Sequence, residues 1–125
     1  MVDFLAKSDL TSDVHTPDFL FGGEADIVTE PATLITGQNL AQRTVVARIA
    51  ASGKLTQWAP AASDGSQYAV GILQHAINAT SADKACVIYT GGIFNIDALV
   101  WPGGATAAQK AVAFDRTNIG VRALG

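Results

Sequence analysis

Two histidines, one cysteine and eleven carboxylates are the groups in this chain that could hold a metal or act as a general base. Metal centres need such groups at short, repeated spacings on a shared element. His15 and His75 lie in different halves of the chain, and neither has a Cys, Asp or Glu at metal-ligand spacing on a helix. The Gly-Gly pairs beginning at Gly22, Gly91 and Gly103 lack the Lys-Ser/Thr that completes a phosphate loop, and Gly103-Gly104 reads as turn chemistry before a helix. Ser63-Asp64-Gly65-Ser66 sets hydroxyls beside a carboxylate, but the pattern places no base there, so it reads as a polar loop. Acid pairs for glycoside hydrolysis need rigid placement, yet seven of the eleven acids fall within residues 1–30. Cys86 lies in the apolar run Ala85 to Tyr89, where a buried structural thiol is expected, and a single cysteine forms no internal disulfide. The sequence therefore predicts no enzyme, no metal and no cofactor.

The elements around these residues are short strands. Val45 to Ile49 and Leu55 to Trp58 flank Ala50 to Lys54, a hairpin with Gly53 where φ > 0 is needed. Ala69 to Leu73 is a strand whose internal Gly71 suggests a bulge or a close backbone approach. Asn78 to Asp83 turns the chain into the strand Ala85 to Tyr89. Two further short strands are expected at Ile93 to Ile96 and Ala98 to Trp101, ended by Pro102 and Gly103-Gly104. A helix follows over Ala105 to Phe114. Thr106 and Gln109 form a T-x-x-Q capping box, and Ala107, Ala111 and Phe114 recur on one face. Ile119, Val121 and Leu124 alternate with polar or small residues as a last strand. The fold class is mostly β or α+β, with one short helix after the Trp-Pro turn.

At 125 residues the chain makes one core. Of the 49% hydrophobic residues many are Ala, which leaves few large side chains to exclude water, so oligomerisation would help. No apolar run exceeds five residues, so no membrane span is expected, and the first residues lack the basic region of a secretory signal. Residues 1–30 carry a net charge of −6 and the remainder +3, with bases too scattered to form a nucleic-acid footprint. Residues 1–35 therefore read as an acidic, partly flexible arm, and 36–125 as the β-rich domain. Within the arm, Phe19-Leu20-Phe21 beside Pro17 is apolar enough to require a surface to land on: the chain's own body, a neighbouring subunit or another protein. Ile27-Val28-Thr29 has the β propensity to add to an exposed sheet edge.

In order and spacing, Leu55, Trp58, Asp64 and Gly65, then AVGIL at Ala69 to Leu73, a GxF turn at Gly91 to Phe94, LVWP at Leu99 to Pro102 and an Ala-rich helix ending at Phe114 resemble the lambda-type bacteriophage head decoration proteins. The resemblance runs from about Leu40 to Leu124. It implies a homotrimer made in the host cytoplasm that sits on the outside of the head, clamps neighbouring major capsid protein subunits after the shell expands, and resists internal DNA pressure. It also implies that the N-terminal segment orders on the capsid. In this chain the candidates for that contact are Phe19, Leu20, Phe21, Ile27 and Val28, and the interface candidates in the body are Trp101 and Pro102. The alternative is a small β-rich carbohydrate- or surface-binding module using Tyr68, Trp58 or Trp101 as exposed aromatics.

Overall fold

The computed structural model describes residues 27–122. Eight strands and one helix follow in chain order. The strands are β1 (Val28–Leu34), β2 (Gln38–Leu40), β3 (Val45–Arg48), β4 (Leu55–Gln57), β5 (Ala69–Leu73), β6 (Ile77–Ala79), β7 (Lys84–Asn95) and β8 (Asn118–Arg122), with α1 (Ala107–Val112) before β8. The domain is mostly β with one short helix.

β1, β4, β3, β5 and β7 form a closed ring. β1 pairs antiparallel with β7 along its length and parallel with β4 at Leu34↔Leu55, and β4–β3, β3–β5 and β5–β7 pair antiparallel. The ring closes narrowly: β1 meets β4 only at Leu34↔Leu55, so among the described residues β1 from Val28 to Thr33 keeps one edge unpaired. β8 adds parallel to the second half of β7, from Gly91↔Asn118 to Asn95↔Arg122. β2 and β6 make a separate two-stranded ribbon.

Strand periodicity sends alternate residues to opposite faces, and both faces are packed. Leu34, Val46, Leu55, Leu73, Cys86 and Ile88 form one cluster. Val45, Ala47, Ile72, Phe94, Phe114 and Ile119 belong to the other, with Trp58, Leu99 and the half-buried Trp101 beside them. Ala47, Ala69 and Ala79 are buried where strands and clusters crowd. Gly71 shows the same economy: a Cβ there would lie 2.8 Å from Ile88 Cδ1 and from the Tyr89 carbonyl oxygen, and the β3–β5 register shifts beside it. Bulge and close approach coincide at this residue.

The β3–β4 hairpin forms with Gly53 at φ 74°, and Arg48 Nη1 donates to the Gly53 carbonyl at 2.7 Å. The capping box is present in both directions, Gln109 N donating to Thr106 Oγ1 at 3.1 Å and Thr106 N to Gln109 Oε1 at 2.9 Å.

Four sequence expectations change. The strand of Ala85 to Tyr89 does not end before Gly91: β7 runs unbroken to Asn95, with Gly92 at φ 132° supplying inside the strand the conformation expected of a turn. Ala98 to Trp101 is not a strand, because Ile96–Ala98 winds into a 3-10 turn capped by Asn95 and only Val100 bridges, to Thr44. Helix α1 buries none of its own residues; Ala107 and Ala111 are exposed, and Phe114, beyond the helix, is the residue that enters the core. The boundary drawn at residue 35 falls after β1, a seven-residue strand of the sheet whose Leu34 is fully buried.

Candidate docking surface

Ile27 and Val28 are the first of the described residues. Both lie against the glycine pair of β7. Val28 stands opposite Gly91, where a Cβ would come within 3.1 Å of Val28 Cγ2, and a Cβ on Gly92 would meet Ile27 Cδ1 at 2.8 Å and Phe94 ring atoms at 3.1 Å. Absence of side chains at 91 and 92 thus seats two branched residues on the strand. They remain 42% and 47% exposed, so each rests on the body and still offers an apolar flank outward. Just beyond, Thr90 Oγ1 donates to Glu30 Oε2 at 3.2 Å across the β1–β7 ladder. Phe19, Leu20 and Phe21 lie outside the described residues.

Trp101 belongs to an aromatic cluster with Trp58 and Phe114, and Pro102 follows it in the chain. Trp101 is half-buried and meets Trp58 edge-on at 5.7 Å and Phe114 at 6.2 Å, with the Lys110 ammonium 5.8 Å from its ring. Its Nε1 donates to the Ile96 carbonyl at 2.9 Å, and Trp58 Nε1 donates to the Gln67 carbonyl at 2.8 Å. Both indole N–H groups are therefore spent on backbone, and Trp58 is only 3% exposed. A cleft of about 500 Å³ opens beside them, lined by Gln38, Gln57, Trp58, Pro60, Pro102 and Ala105. Tyr68 is exposed, but the Arg116 guanidinium stacks over its ring at 4.0 Å. Carbohydrate platforms use free aromatic faces beside free polar groups. Here Trp58 is packed, Trp101 is half-buried and one face of the exposed Tyr68 ring is covered by Arg116, which leaves less free aromatic surface than the carbohydrate-binding alternative expects.

The polar loop at Ser63 to Ser66 is a closed turn. Ser66 donates to Asp64 Oδ1 through both its hydroxyl and its backbone N–H, and these bonds hold the Asp64 carboxyl below its usual value. It has the stability of an Asx turn and none of the geometry of an activated nucleophile.

The sequence reading missed the alternation inside Ala85 to Tyr89. Cys86 and Ile88 are buried, whereas Ala85 and Val87 face outward, Val87 at 37% exposure. A short apolar run looks equally like a strand buried on both faces, and only the pairing partner distinguishes them. That partner is β1, which places Thr33 opposite Ala85 and Pro31 opposite Val87.

A model of the bacteriophage lambda head decoration protein D family matches residues 9–121. The chain belongs to that family. No curated protein sequence matches significantly. The match extends well upstream of Leu40, where the resemblance read from the motifs began, and takes in most of the acidic segment. A family of phage head decoration proteins is structural, and membership associates the chain with the virion capsid.

Proposed function

We propose that this protein is a cementing trimer bound to the outer surface of the expanded phage head, where it clamps neighbouring major capsid subunits and stabilises the shell against the pressure of packaged DNA. The family match over residues 9–121 carries this reading. The chemistry is that of linkage: a protein that binds the assembled shell and not separated subunits shifts the equilibrium toward the shell, with no bond made or broken. The capsid contact runs through the N-terminal segment, with Phe19, Leu20 and Phe21 as its apolar anchors and Ile27 and Val28 as its root on the body. The exposed flanks of Ile27 and Val28 support that assignment, since they continue the apolar character of the segment onto the folded domain. Pro102, at the cleft beside Trp58, remains the candidate for contact between copies; Trp101 acts behind it as packing.

Co-sedimentation tests the reading. The protein is expected to pellet with expanded heads, to stay in the supernatant with unexpanded heads, and to run as a trimer in sedimentation equilibrium. A monomer that binds neither form of the head refutes it.

A further inference from the structure

We infer that the outward face of the β1–β7 pair is a second, rigid part of the head-binding surface, and that its partner is an uncharged, apolar patch of the capsid shell. The inference rests on the reading of the chain as a head-binding protein.

Register defines the face. Thr29 pairs with Tyr89, Pro31 with Val87 and Thr33 with Ala85, and directly paired residues share one side of a sheet. At one end Tyr89 is packed against the ring of Phe94, 5.3 Å away, within the core. From there the face opens. Thr29, Pro31, Ala85 and Val87 are exposed, and none of these paired positions carries a charge. Charged residues of the two strands, Glu30 and Lys84, belong to the opposite alternation. Depletion of charge is a mark that this face shares with interface cores.

Position decides what covers it. Ile27 and Val28 stand at the end of this strand pair, and 26 residues precede Ile27. A partner that holds the residues directly before Ile27 is brought against the end of this strand pair, so the same surface also meets the face. The half-exposed Ile27 and Val28 make the two contacts continuous. Pro31 adds selectivity: among the described residues β1 from Val28 to Thr33 pairs with β7 alone, and a proline in such a strand removes a donor from the ladder. The partner is therefore met by side chains on the face and not by strand addition along β1.

The experiment uses the full-length protein and purified expanded heads. A Val87→Cys variant places a thiol on the face with little change of volume, next to the buried Cys86. The expected result is rapid maleimide labelling at 87 in the free protein and at least tenfold slower labelling once bound to heads. A Val87→Lys variant and an Ala85→Lys variant, each checked for a wild-type circular dichroism spectrum, are expected to lose at least tenfold in head affinity while sedimenting as wild type. Protection of position 87 in the free protein, or loss of the oligomer in either lysine variant, would show the face lies between copies of the chain and would overturn the inference. So would labelling that heads do not slow. Wild-type protein that fails to bind heads would instead sink the functional reading beneath it.

Discussion

Asp83 joins three segments with one carboxylate. Oδ1 accepts the Thr36 N–H at 2.8 Å, in the turn after β1, and Oδ2 pairs with the Lys54 ammonium at the start of β4. The Lys54 bond first, and the Thr36 bond second, lower its pKa below the ordinary carboxylate value. A carboxyl whose pKa is lower folded than unfolded stabilises the fold above its unfolded pKa, and that contribution is lost as pH falls through the folded one. Asp64, lowered by Ser66, acts in the same direction. Stability is therefore expected to fall as pH drops below about 4, and an Asp83→Asn, Asp64→Asn double variant should show a flatter decline in thermal melts from pH 5 to pH 2.5. Both groups are exposed, so added salt should weaken the Asp83–Lys54 part. Cys86 shows the reverse shift: burial pushes its thiol pKa up, against a smaller opposing bond from the Leu34 backbone. It should react with a disulfide reagent at least a hundredfold more slowly in the native protein than in denaturant, and rapid native labelling would contradict its place in the β1–β7 core.

Elements whose signal is local were legible in the sequence, and those whose signal is tertiary were not. The β3–β4 hairpin, β5 and the α1 cap are written in a few adjacent residues, and each lies where its turn or cap chemistry put it. The sequence of β7 reads as two pieces because Gly91-Gly92 looks like a turn. The reason for those glycines, room for Ile27 and Val28 arriving from β1, lies some sixty residues away in sequence and cannot be read locally. The helix face failed for a related cause. A six-residue helix has too little length for periodicity to identify its buried side, and here the core is reached by Phe114 after the helix has ended. Because α1 buries nothing of its own, its ends should carry most of its stability. Thr106→Ala is expected to cost about 1 kcal/mol, lowering Tm by roughly 4–8 °C in a domain of this size. An unchanged melt would show that the packing of Ala105, Ala113 and Phe114 on the core holds the segment without the cap.

For the whole molecule the informative boundary is β1. Removal of residues 1–26 leaves every described strand in place, whereas removal of 1–35 deletes the strand that closes the ring at Leu34↔Leu55 and exposes half the β7 ladder. Leu34 alone is worth roughly 1.5–3 kcal/mol of buried apolar side chain, a large part of the total stability of a small domain. The shorter deletion is expected to fold and keep its oligomeric state, and the longer one to be unfolded by circular dichroism.

The shorter deletion also separates the arm from the body, and there the choice of dominant force can be decided. The segment before Ile27 carries most of the −6 charge of residues 1–30 together with Phe19, Leu20 and Phe21. Each large apolar side chain fully buried on the capsid contributes about 1.5–3 kcal/mol, against about 0–1 kcal/mol for an exposed ion pair. Apolar contact should therefore set the affinity, and the acids should set orientation and a modest salt dependence. A Phe19→Ala, Phe21→Ala double variant is expected to weaken head binding at least a hundredfold with the oligomeric state unchanged, since about 3–6 kcal/mol of burial is removed. Asp13→Asn with Asp18→Asn should weaken it less than tenfold at physiological salt. If the charge variant proved the more damaging in a head co-sedimentation assay, the arm would dock by electrostatics, and the apolar anchoring proposed for Phe19 and Phe21 would have to be abandoned.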